Sequence, residues 1–89
     1  MASASNYYAH YKLTKSIPKG TTTTADAILT LVPSAKLVQL RSESARIGIN
    51  GGDAVVFKFG DEQALVSGDT WFFAEEAEIA IGVIVNLLP

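Results

Sequence analysis

The chain of 89 residues contains no cysteine, so neither a disulfide framework nor a thiolate zinc site is open to it. Histidine is nearly absent too. With His10 alone, no His–His metal pair can form, and any Ser–His nucleophile would have to be built on that one residue. His10 falls in the least patterned part of the sequence and reads as a surface side chain. Long apolar runs are missing as well. The longest uncharged tail, Ile79–Pro89, is far short of the ~20 residues that a membrane helix needs. The opening segment Met1–Lys12 lacks the apolar centre of a signal peptide, so a soluble product made in the cytoplasm of the producing cell is expected, with no membrane contact. There is no phosphate-binding glycine loop leading into a helix, hence no expected nucleotide cofactor. Nor is there a cluster of Lys or Arg, and with a pI near 5.2 nucleic acid is not an expected partner.

Charge is sparse. Only 18% of residues are charged, below the usual ~25%, while 48% are hydrophobic. A domain of this size buries a smaller share of its surface than a large one does, so an apolar surplus points to burial against copies of itself or a larger assembly. The charges that exist are segregated. Residues 1–46 hold six basic against two acidic side chains, and residues 47–89 hold one against seven. A basic N-terminal segment that lies on an acidic body, its own or a neighbour's, is one consequence; an incidental segregation of solvated charges is the other.

What the sequence does contain is turn chemistry between short alternating runs. Asn50-Gly51-Gly52-Asp53 supplies the positive φ that a tight hairpin turn requires, and the hairpin predicts a strand on either side of it. The strand that follows, Ala54–Phe59, alternates so that Val55, Phe57 and Phe59 share a face expected to be the core. Ala35–Arg41 alternates as well, with Lys36, Val38 and Leu40 on one side and Leu37, Gln39 and Arg41 on the other. Gln63–Ser67, Thr70–Phe73, Glu78–Ile81 and Val83–Leu88 complete a series of strands, with Trp71 and Phe73 on one face and a turn or bulge at Gly82. Residues 25–32 fit both a strand and a short helix capped by Thr24; the threonine run before them favours the strand. The whole predicts an all-β fold: a small antiparallel β-sandwich or barrel, jelly-roll-like, spanning residues 13–89, with an extended N-terminal arm over residues 1–12.

The arm carries Tyr7, Tyr8 and Tyr11 around His10, followed by Lys12 and Lys15. Extended backbone puts Tyr7 and Tyr11 on one face and Tyr8 and His10 on the other, either over the chain's own core edge or onto a partner. The last strand is apolar on both faces through Leu87 and Leu88, which asks for a cover outside the monomer. Catalytic chemistry finds little support. Asp61, Glu62, Asp69, Glu75 and Glu76 could gather at one end of a sandwich, but without the spacing of a calcium loop, so no metal site is assigned. Trp71-Phe72-Phe73 could serve as a sugar-stacking platform in a small carbohydrate-binding module, although three consecutive aromatics in a strand must send at least one inward.

The segments Arg46–Asn50, Val55–Asp61, Gly68–Phe73, Glu78–Ile81 and Val83–Pro89 together resemble the tailed-phage capsid decoration (cement, or head-stabilising) proteins of the short β-sandwich type. The resemblance covers about half of the chain and departs from the pattern in a short loop between Asp61 and Gly68. It implies a non-enzymatic virion protein on the outer capsid surface. Such a protein assembles with itself, a trimer being the expected order, and binds across subunits of the major capsid protein. On that reading Tyr7, Tyr8, Tyr11, Lys12, Lys15, Leu87 and Leu88 are the interface residues, with no catalytic, cofactor or metal residue. A tail or head-fibre component is the alternative within the same class.

Overall fold

The structure, a computed structural model, describes the backbone of residues 7–86 and the side chains of residues 8–85. Eight strands and one short helix follow in order: β1 (Tyr7–Ile17), β2 (Thr22–Thr24), α1 (Ala25–Leu31), β3 (Leu37–Leu40), β4 (Ala45–Ile49), β5 (Val55–Phe57), β6 (Glu62–Ala64), β7 (Thr70–Phe73) and β8 (Ala77–Asn86). At the centre of the chain, Asn50 and Gly51 adopt φ values of 55° and 77°, both in the left-handed region. The Gly52 N–H donates to the Ile49 carbonyl at 3.0 Å, which closes a type I′ turn. From that turn the chain pairs outward in nested fashion: β4 with β5, β3 with β6, β2 with β7 and β1 with β8, all antiparallel. Two further pairings, β3 with β8 and β4 with β7, gather the strands into sheets of order β1-β8-β3-β6 and β2-β7-β4-β5. Nested pairing of this kind, rolled into two four-stranded sheets, is the jelly roll. The expected all-β sandwich is therefore what the chain forms.

Alternation decides what fills the space between the sheets. Val38 and Leu40 of β3 and Ile79 and Ile81 of β8 meet Ala45 and Ile47 of β4 and Trp71 and Phe73 of β7. Trp71 and Phe73 are fully buried, with ring centroids 6.3 Å apart. Among the described residues the Trp71 indole N–H meets no protein acceptor.

Residues 25–32 are a correction. The strand expected there is the helix α1, and the Thr24 hydroxyl caps it by accepting from the Ala27 N–H at 3.1 Å. Seven residues are too few for a helix to stand alone. Tertiary contacts hold it instead: Ala25 and Ile28 are buried in the core, the Ala25 N–H donates to the Asp69 carbonyl, and the Ser67 hydroxyl donates to Asp26. A second correction concerns the strand after the organising turn. It spans Val55–Phe57 only, and of its three expected core residues Phe57 alone packs on the core. Val55 is 56% and Phe59 69% exposed. The turn sets Ile49 against Gly52, whereas the ladder pairs Ile47 with Val55, so one additional residue intervenes on the β5 side. β5 is also the outermost strand of its sheet, and Phe59 lies beyond its end, in a turn closed by the Asp61 N–H to the Lys58 carbonyl. Third, β6 ends at Ala64, short of the expected Ser67. Fourth, no turn or bulge interrupts the last strand: β8 runs straight through Gly82 as one ten-residue strand.

Candidate functional site

β1 is the longest strand, and its two halves differ. From Leu13 to Lys15 it borders the part of β8 that also pairs with β3; from Tyr7 to Tyr11 it pairs with Gly82–Asn86, most of which lies past the end of β3. Residues Tyr7–His10 and Val83–Asn86 therefore form a two-stranded ribbon continuing beyond the body of the sheet. The protein is correspondingly long, 42 × 25 × 22 Å. The register shifts between Tyr11 and Leu13, so a bulge at Lys12 marks the point where the arm meets the body, with the strand unbroken across it. The pairing Tyr8↔Val85 and His10↔Val83 sets these four residues on one face of the ribbon, with Ala9 and Ile84 on the other.

The sequence-expected interface residues separate on this frame. Tyr8 is 48% exposed, and Lys12 and Lys15 are exposed on β1. Tyr7 pairs with Asn86 through its backbone; its side chain, and all of Leu87 and Leu88, lie outside the described residues. Tyr11 behaves differently from the other two tyrosines. Its ring lies across the outer face of the sheet, over Gly82, and its hydroxyl donates to Glu62 of β6 at 2.5 Å. A Cβ placed on Gly82 would come within 2.9 Å of Tyr11 Cε1, so the missing side chain at position 82 is what lets the ring lie flat across β8. The Arg41 guanidinium stands 4.7 Å from the ring centroid, and Arg41 Nε donates to Gln39, whose amide donates in turn to the Gly60 carbonyl. Burial, reinforced by the hydrogen bond to Glu62 and by its charge, pushes the Tyr11 hydroxyl up to about 12, although Arg41 pulls the other way. This cluster straps the arm, through β1, to the far edge strand β6.

Four of the five acidic side chains that could have gathered at one end have partners of their own. Asp69 accepts from the Asn50 amide, Asp61 from the Lys58 N–H and Glu62 from Tyr11. Glu75 takes both the Arg46 backbone N–H and its guanidinium, which holds the Glu75 carboxyl below the ordinary carboxylate value. Among the described residues no group of three or more His, Cys, Asp or Glu side chains is placed to hold a metal ion. Trp71, the candidate sugar platform, is fully buried and presents no ring face to a ligand.

Sequence reasoning missed a second surface. Val55, Val56 and Phe59 are all more than half exposed along β5 and the turn that follows it. A signal for Phe59 was present: it directly precedes Gly60-Asp61, the place of a turn corner rather than of a strand interior. The molecule thus presents two partly apolar rims at opposite edges of the sandwich, and an arm that extends past one end. Compared with family models, curated proteins and solved structures, the chain matches none.

Proposed function

We propose that the protein is a non-enzymatic structural component of a tailed-phage virion, decorating the outer capsid surface and stabilising it by binding across subunits of the major capsid protein. It does so as a homo-oligomer, with a trimer as the expected order. The observation that carries the reading is the two-stranded ribbon Tyr7–His10 with Val83–Asn86. Among the described residues no strand pairs with the β3 side of β8 beyond Gly82, and Tyr8 and Ile84 stand exposed on opposite faces of the ribbon. A jelly roll suits such a role, since it recurs among viral capsid domains, though a fold by itself does not assign a function. The resemblance of residues 46–89 to decoration proteins points the same way.

The test is co-sedimentation of the full chain with undecorated tailed-phage capsids, alongside a chain lacking residues 1–11. The full chain should sediment with the capsids, and the shortened one should bind much more weakly. Its core should stay intact, because among the described residues the first member of the core is Ile17. Failure of the full chain to bind capsids, or equal binding by both chains, would overturn the proposal; binding to tails alone would transfer it to a tail component.

A further inference from the structure

The sheet orders place β1 and β2 together at one edge of the sandwich and β5 and β6 together at the other. These two rims are chemically opposite. From Tyr7 to Thr24 the chain carries three lysines and no acidic residue, whereas from Asp53 to Ala64 it carries three acidic residues and one lysine. Lys12 and Lys15 are exposed at the first rim, Asp53 and Asp61 at the second. Each rim also leaves inward-directed apolar side chains uncovered. Leu13 pairs with the core residue Ile81 and Val55 with the core residue Ile47, so both point toward the space between the sheets. Both are nevertheless exposed, because β2 and β6, the strands opposite them, are only three residues long. Phe59 extends the second rim's apolar surface.

We infer that copies of this chain join head to tail, the basic β1 rim of one copy against the acidic β5–β6 rim of the next. Leu13 of one copy then covers Val55 and Phe59 of its neighbour, while Lys12 and Lys15 face Asp53 and Asp61. Opposite charge on opposite edges favours this heterologous contact. A two-fold contact of either rim with itself would set like charges together. Heterologous contacts close into a ring when the rotation between neighbours allows it, so the same contact serves a trimer or a larger ring. The inference rests on the self-association contained in the proposed function and specifies the surface that mediates it.

Light scattering on the full chain across a range of concentration and salt tests it. The unmodified chain should show a mass above its 9.5 kDa monomer that falls as salt rises. Lys12→Glu with Lys15→Glu, or Asp53→Lys with Asp61→Lys, should each weaken association at least about tenfold through like-charge contact. All four substitutions in one chain exchange the rim charges and should restore the association. Asp61→Asn, which keeps an acceptor for the Lys58 N–H, controls for damage to that turn, and the near-ultraviolet signal of buried Trp71 reports folding in every variant. An oligomer indifferent to either reversed pair, or a folded four-substitution chain that stays monomeric, overturns the head-to-tail contact while leaving self-association standing. A monomer at every concentration overturns both.

Discussion

The interior strands and the rim strands of this sandwich obey the same alternation in sequence and meet different fates. Ile79 and Ile81 on β8 alternate much as Val55 and Phe57 on β5 do, yet the first pair is fully buried and the second is not. Over Ile79–Gly82, β8 lies between β1 and β3 and faces β4 and β7 across the core, so Ile79 and Ile81 meet a second layer. β5 has one neighbour and a three-residue strand opposite it, so an inward direction there does not amount to burial. Periodicity reports the direction of a side chain. Burial also needs something on the other side, and at the rims of a thin sandwich that something is another molecule or water.

Four substitutions probe this difference. The largest effect belongs to the middle: Phe73→Ala removes a fully buried ring and should destabilise the fold by about 3–5 kcal/mol, read as a lower urea midpoint with an unchanged slope. A loss below about 1 kcal/mol would mean that the two sheets are not held together there. Gly82→Ala should cost about 1–3 kcal/mol, because the new methyl collides with the Tyr11 ring that straps the arm down. Alkaline titration followed by tyrosinate absorbance reads the strap directly. Its folded value lies above the ordinary 10, so the stability it contributes is complete below pH 10 and is lost as pH rises through about 12. Gly82→Ala should bring that late ionisation back toward 10, and Tyr11→Phe should abolish it; a late phenol that survives Tyr11→Phe would place the shift elsewhere. The smallest effect on stability is at the rim. Phe59→Ser should leave the unfolding free energy within about 0.5 kcal/mol of the original while weakening self-association, the reverse of what a core residue would do.

Much of the sandwich was legible. Alternation put Lys36, Val38 and Leu40 on one face of residues 35–41 and Trp71 and Phe73 on one face of β7. Val38, Leu40, Trp71 and Phe73 are buried while Phe72 is exposed; Lys36 is exposed, and Leu37, on the other face, is buried as well. The helix at Ala25–Leu31 was not legible, because a segment of that length has too little intrinsic helical stability for propensity to decide it, and its support comes from Ser67 and Asp69 some forty residues away. The path of β8 through Gly82 was hidden for a related reason. A glycine within a strand reads as a bulge until one sees that a ring from β1 occupies the place of its side chain. Of the candidate surface, Tyr8, Lys12 and Lys15 could be picked out from the arm, whereas Val55 and Phe59 passed for core.

By itself the amino-acid sequence determined the turns and the strand faces. Asn50-Gly51 accepts positive φ with little strain, and a two-residue period commits each side chain to one side. Only the tertiary structure decided which strands became rims, because the nested pairing that starts at that turn brings β1 and β2 to one edge and β5 and β6 to the other. It also brought the two halves of a segregated charge distribution to opposite edges of the fold. No local pattern encodes that placement, since it follows from contacts between residues as far apart in the chain as Tyr8 and Val85.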